Sequence, residues 1–438
     1  MKKLIFGLFI IITVHQISFS QSGWFQQTSG TNVDLYSIYF VNSNTGYATG
    51  YVSYPNLISV ILKTTNSGVN WVNIKQDTLK FLSSIFFVDE NSGYVVGDSP
   101  IGAPILKTTD GGVTWSTQYM QTNMLYSVYF IDSNTGFIAG KYGVMLNTSN
   151  SGANWIMHQI SYHDLFSVNF ININTGYSVG GGGIPGTSGT IYKTTNCGLN
   201  WIDQSIFNSN FVLQSISFPN QNTGYTEGHT GSQSAVLKTI NGGANWIINL
   251  TNDSLWFNYL YFTNELTGYT IGNEGLIIKT TNGCGSFTNQ NSNVNRNLYS
   301  IFFTDNNTGY IVGQLGTILK TTNGGEPIGI RKISSSSPES FALYQNYPNP
   351  FNPATKIKFD LPAGRSQAGI PNQGARGMDV RLTIFDILGR EVATLVNEQL
   401  KPGSYEVEWN GGNYASGIYF YTLKTDNFSG TKKMILMK

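Results

Sequence analysis

Between residues 35 and 313 the apolar and polar positions repeat as a unit. A sixteen-residue window recurs without gaps seven times, at 35–50, 82–97, 125–140, 165–180, 213–228, 257–272 and 298–313. Its consensus is L-x-S-[IV]-x-F-x-x-x-N-T-G-[YF]-x-x-G, with Phe at position six and Gly at position twelve in every copy. Positions four and six, such as Ile38 and Phe40, share one face of a strand by period two. Position five is often aromatic as well (Tyr39, Phe86, Tyr129, Tyr261, Phe302), so both faces are apolar and the strand is expected between neighbouring sheets. The N-T-G segment reads as a turn that uses glycine's tolerance of positive φ, and the aromatic after it opens the next short strand.

A second motif follows each window. Thr108–Trp115, T-T-D-G-G-V-T-W, fits the Asp-box pattern, with Asp110, Gly112 and Trp115 as its marks. Four copies put Asn in place of Asp: Asn66 to Trp71, Asn150 to Trp155, Asn196 to Trp201 and Asn241 to Trp246. A sixth, Thr280–Phe287, is degenerate. The pattern predicts a hairpin turn in which the Asp or Asn accepts turn amides, Gly is left-handed and Trp plugs the sheet, a structural role.

The last box stops at Gly325 without its Trp, while the chain near its start carries an orphan, Trp24. If Trp24–Gln27 supplies the missing fourth strand beside Thr317–Thr321, the repeats close into a ring with no open edge. The windows start 40 to 48 residues apart, a blade-sized spacing. The fold expected is all-β: a seven-bladed β-propeller over 21–326, a linker over 327–340 and a small Ig-like β-sandwich over 341–438.

Composition agrees. Charged residues make up 11% of the chain against about a quarter in an average soluble protein, with aromatics at 13% and 49 glycines. Lys+Arg 25 and Asp+Glu 24 nearly cancel, which argues against nucleic acid as a partner. Residues 1–20 read as a signal peptide: Lys2 and Lys3, an apolar run Leu4–Val14, then Ser18-Phe19-Ser20. That run is too short to span a membrane, and no later stretch is long and apolar enough, so no transmembrane anchor is expected after cleavage. Cys197 and Cys284 fall in different repeats, and His158 and His163 have no partner motif, so neither a disulfide, a metal nor a cofactor is expected.

The alternation of G-[YF]-x-x-G with K-T-T-[ND]-x-G-x-x-W resembles the photosystem II stability and assembly factor-like propellers of the Asp-box or BNR group, over all seven units. Plant and cyanobacterial members are associated with a basic, arginine-bearing surface. Here 21–326 holds one Arg, Arg296, with 10 Lys+Arg against 15 Asp+Glu, net −5. The tail carries Y-P-N-P-F-N-P in Tyr347–Pro353, then Asp386-Ile387-Leu388-Gly389-Arg390, Ser416-Gly417-Ile418-Tyr419 and the ending Lys432–Lys438. It resembles the type A C-terminal sorting domain of the type IX secretion system. That resemblance implies the secretion machinery as a partner and a secreted or surface-attached protein that passes through the periplasm. The Gly-rich stretch 363–379 is longer than such a hairpin needs.

Asp-box propellers also include glycosidases, but a sialidase needs an arginine cluster and a single propeller lacks the two-domain cleft of a xyloglucan hydrolase. Glu90, Glu227, Glu265 and Glu274 form no evident pair in the sequence, and no catalytic residue is assigned. The reading is a non-catalytic binding or scaffold propeller with an unidentified glycan or protein ligand; the alternative is an extracellular glycan hydrolase. Loops joining second to third strands vary (Tyr51–Leu57, Asp98–Pro104, Gly181–Gly189, His229–Ser234) while the other turns repeat. On their face the expected binding residues are Tyr36, Tyr51, Tyr126, Phe166, Trp256 and Tyr299.

Overall fold

A computed structural model describes residues 21–52, 57–78, 80–182, 189–205, 211–230, 232–254, 256–328, 331–334, 336, 338–363, 378–412 and 414–438. The signal peptide and most of the Gly-rich stretch lie outside the described residues. Backbone contacts divide the chain into one unit over Ser22–Glu326 and a second that holds Pro327–Lys438.

The first unit is seven four-stranded sheets in ring order. Their first strands are Asp34–Phe40, Phe81–Phe87, Leu125–Phe130, Asp164–Phe170, Val212–Ser217, Phe257–Phe262 and Leu298–Phe303, numbered here as blades one to seven. First strands of neighbouring blades pack against one another, blade one against blade seven included, so they line the axis. In blade seven the fourth strand is the N-terminal Gln21–Gln27, laid beside Ile318–Ile328.

Three aromatics knit each blade to the one before it, except in blade six, whose degenerate box carries Phe287 in place of the Trp. The position-six Phe stacks on the aromatic at position thirteen of the preceding blade, as in Phe87 on Tyr47 (3.7 Å) and Phe40 on Tyr310 (4.0 Å). The box Trp then stands edge-on to the same Phe: Trp115 on Phe87 and Trp155 on Phe130, both with centroids 6.0 Å apart. Trp24 meets Phe303 in that geometry at 6.0 Å and is 1% exposed. Its buried indole therefore fills the place of the missing box Trp.

The position-twelve glycine has a different reason from the one the sequence suggested. Gly46, Gly93 and Gly136 are not left-handed. A Cβ on any of them would sit 2.5 Å from the position-six ring of its own blade, Phe40, Phe87 or Phe130. Glycine is needed because an aromatic ring lies flat on the backbone, not because the turn needs positive φ. The turn is held instead by position eight, which is Asn or Asp in all seven copies. Asn42 Oδ1 accepts the N–H groups of Asn44 and Thr45 at 2.9 and 2.8 Å, and Asp89 does the same for Asn91 and Ser92.

Lysines of the K-T-T segment clamp the next blade. Lys63 Nζ and Tyr47 Oη both donate to the Gly111 carbonyl, at 2.7 and 3.0 Å. Lys107 and Tyr94 do so at Ser151, Lys193 and Tyr177 at Gly242, and Lys320 and Tyr310 at Ser67, which closes the circle. Blade three carries Phe137 and Asn147 at these two positions and has neither donor.

The tail forms two four-stranded sheets. Arg331–Ser334, Gly403–Asn410, Ala354–Leu361 and Ala342–Leu343 make one; Glu391–Leu400, Met378–Phe385, Gly417–Thr425 and Phe428–Leu436 make the other. Alternating residues from both, among them Ile357, Val407, Leu382 and Leu423, share one core, which makes the tail a sandwich. Arg331–Ser334, inside the stretch read as linker, pairs with Gly403–Asn410. Phe351 of the Y-P-N-P-F-N-P run is 2% exposed in the core, while Tyr347 is 81% exposed.

Candidate functional site

Each blade has two ends. The N-T-G turns and boxes gather at one, and the second-to-third-strand loops and entries to the first strands gather at the other. The box end is occupied by structural bonds. Asp110 accepts the hydroxyl of Thr108 (2.7 Å), the Thr114 N–H (2.9 Å) and the Thr114 hydroxyl (2.6 Å), which hold its carboxyl down at about 2. Asn66, Asn150, Asn196 and Asn241 accept the equivalent Thr hydroxyl and backbone N–H without a charge. Gly112 is left-handed at φ 88°, and Trp71, Trp155, Trp201 and Trp246 pack like Trp115. Cys197 and Cys284 sit in the box turns of blades four and six as free thiols.

At the other end the first strand of every blade carries a β-bulge at position two: its register with the second strand shifts between positions one and three in all seven. A bulge re-aims the extra side chain. The bulged residues are Tyr36, Ser83, Tyr126, Phe166, Gln214, Asn258 and Tyr299 in blade order. Four of the six residues expected to bind ligand are therefore the bulged residue of their blade.

They meet in two arcs. Tyr36 lies between Tyr51 (4.6 Å, 22°) and Tyr299 of blade seven (4.8 Å, 19°), a stack of three half-buried rings. Phe81 closes the far side of Tyr51 edge-on at 4.9 Å. Across the mouth Tyr126 and Phe166 meet at 5.0 Å. Between the arcs the bulged residues are Ser83 on one side and Gln214 and Asn258 on the other. Trp256 belongs to neither arc; it is 42% exposed and stacks on His229 at 4.8 Å and 6°. Burial raises the hydroxyl pKa values of Tyr36 and Tyr126, and their neighbours, Tyr51 and Tyr299 for the first and Asp164 for the second, add to it.

The residue just before each window governs the loop it touches, a signal the sequence reading missed. In blades three, six and seven the second-to-third-strand turn is a tight three-residue bend whose middle residue is left-handed: Tyr142 (φ 57°), Glu274 (φ 55°) and Leu315 (φ 54°). The N–H of that residue donates to a side chain at the start of the next blade: Asp164 (2.9 Å), Asn297 (3.3 Å) and Asp34 (2.8 Å). Blades one, two, four and five carry the longer loops, and the residues that follow them are Phe81, Met124, Val212 and Trp256. An Asp or Asn here marks a short turn, and an apolar residue marks a long loop.

Glu227 stands apart. It is 0% exposed at a position that holds Thr49, Val96, Ala139, Val179, Ile271 or Val312 in the other blades. One oxygen accepts Ser215 Oγ at 3.2 Å, and burial pushes its pKa up to about 8.

Comparisons with known proteins separate the two parts of the chain. The family model of the photosynthesis system II assembly factor YCF48 matches residues 63–209, and that of the secretion system C-terminal sorting domain matches 345–437. No curated protein matches the chain. A structure of YCF48 bound to D1 peptide is similar with TM-score 0.56 at 17% identity, over 70% of this chain and 99% of that one. YCF48 from Cyanidioschyzon merolae gives 0.52 at 18% identity, over 68% and 98%. PorZ of Porphyromonas gingivalis, described as an essential bacterial surface component of the type IX secretion system, gives 0.51 at 14% identity; the match covers 94% of this chain and 60% of PorZ. At these identities the likeness concerns the fold. The chain carries a propeller domain of the YCF48/BNR type and a C-terminal type IX secretion sorting domain, which implies secretion or surface attachment through that system.

Proposed function

We propose that the propeller is an extracellular binding module that holds its ligand at the bulged mouth and performs no chemistry on it. On this reading the sorting domain brings the chain to the outer membrane, and the propeller acts when released or held at the surface. The observation that carries the reading is the pair of arcs. Four of the seven bulges bear aromatic rings that meet across blade boundaries, stacked in one arc and tilted in the other, while remaining partly open to solvent. The rings that join neighbouring blades, such as Tyr47 and Tyr94, are by contrast fully covered. Partly exposed aromatic platforms suit a sugar face or a peptide. The YCF48 propeller with bound D1 peptide is a precedent for a peptide on this fold.

The test is a screen of chain 21–438 on glycan and peptide arrays, with hydrolysis assayed in parallel. Binding without turnover is expected, lost in Tyr36→Ala and Tyr299→Ala at unchanged melting temperature. Turnover that disappears on changing one Asp or Glu would overturn the proposal.

A further inference from the structure

The charge at the mouth narrows the ligand class. Six of the propeller's ten basic residues are lysines of the K-T-T segments, Lys63, Lys107, Lys193, Lys238, Lys279 and Lys320. All six are spent at the box end on backbone carbonyls of the next blade, at 2.7 to 2.9 Å. Lys75 and Lys80 pair with Asp77 at 3.3 and 2.9 Å. At the mouth end that leaves Lys141, Arg296 and the one positive charge by which Lys75 and Lys80 exceed Asp77, and Arg296 already leans on the Leu315 carbonyl and the Thr317 hydroxyl. Against them stand Asp34, Asp98, Asp164, Asp253 and Glu274.

These acids interleave with the rings. Asp34 starts the strand of Tyr36, and Asp164 accepts the Tyr126 hydroxyl at 3.2 Å. Asp98, at the end of the second strand of blade two, is the cross-strand partner of Phe81, whose ring meets Tyr51 at 4.9 Å. Blade two stands between the blades of the two arcs, so Asp98 belongs to the gap between them. Ring faces carry negative potential, and carboxylates beside them add to it, so the combination attracts a flat or compact cation. Lys141, whose Nζ lies 4.9 Å from the centre of the Tyr142 ring, makes such a contact at this end already.

We propose that the mouth takes a basic polypeptide segment, with an Arg or Lys side chain at the exposed rim of the Tyr51–Tyr36–Tyr299 stack and its charge facing Asp98. This rests on the binding reading above and names its ligand class. The sign is opposite to that of a basic, arginine-bearing propeller surface.

The experiment uses chain 21–438 and three fluorescein-labelled peptides of equal length that alternate Gly with Arg, Glu or Ser, followed by anisotropy. The Arg peptide is expected to bind, more weakly as salt rises, with the Ser peptide at least tenfold weaker and the Glu peptide unbound. Asp98→Asn keeps the acceptor for the Ser99 N–H (2.9 Å) and removes only the charge. It is expected to weaken the Arg peptide by roughly fivefold, the scale of one carboxylate–cation contact near a surface. Tyr36→Leu should weaken it further. Equal binding of Arg and Ser peptides, no response to Asp98→Asn, or no Arg-peptide binding at millimolar concentration would overturn the cation assignment. A Glu peptide or neutral glycan that binds and is lost in Tyr36→Leu would overturn it while the mouth reading stands. An Arg peptide that binds chain 21–438 and Tyr36→Leu equally would overturn both.

Discussion

At the scale of single residues, the aromatic repeat makes specific demands. Gly93 has no room for a methyl group, because a Cβ would lie 2.5 Å from the Phe87 ring. Gly93→Ala is expected to destabilise the chain by about 1–3 kcal/mol, the usual cost of overpacking. Adding Phe87→Leu should return part of that loss, since the two sites share the clash; purely additive urea midpoints would count against this account. Glu227 has a pH signature. Its folded pKa of about 8 lies above the ordinary 4.5, so between those values the folded chain holds a proton that the unfolded chain has lost. Stability should therefore fall as pH rises from about 4.5 to about 8. Glu227→Gln, which keeps an acceptor for Ser215, should flatten the slope in denaturant titrations across that window. The sequence showed which positions were invariant but not always why. The glycine at position twelve looked like a turn residue, because the ring that excludes a side chain comes from six positions earlier in the repeat. The Asn or Asp at position eight was overlooked because two residue types share one job.

Secondary-structure elements followed the pattern closely, since period-two strands between recurring turns leave few alternatives. The bulge at position two is not written in any residue type, and it explains why Tyr36, Tyr126, Phe166 and Tyr299 gather while Trp256 stands apart on His229. The blade contacts also show a weak seam. Between blades three and four, Phe137 has no hydroxyl and Asn147 no ammonium to hold the next box turn. Phe137→Tyr together with Asn147→Lys should raise the unfolding free energy by about 1 kcal/mol per restored bond, read from urea midpoints. Lys320→Met, which removes a donor from the closing pair, should lower it by about 1–3 kcal/mol. A lysine that proved neutral at position 320 would show that the clamps follow the blade packing rather than support it.

For the whole molecule, two claims can be tested separately. Ring closure rests on Trp24: removing 21–30 takes away the fourth strand of blade seven and uncovers Phe303 and Tyr269, so the truncated chain should melt far below the intact one. Export rests on the tail: without 341–438 the propeller should stay in the periplasm, as fractionation of cells would show. The central claim is that the loop end, not the box end, meets the ligand. It is tested most directly by photocrosslinking on the mature secreted chain in its native surroundings, with p-benzoylphenylalanine in place of Tyr51 or of Val113, an exposed residue of the box turn in blade two. Adducts from position 51 and none from position 113 are predicted; adducts from position 113 with none from position 51 would contradict the account.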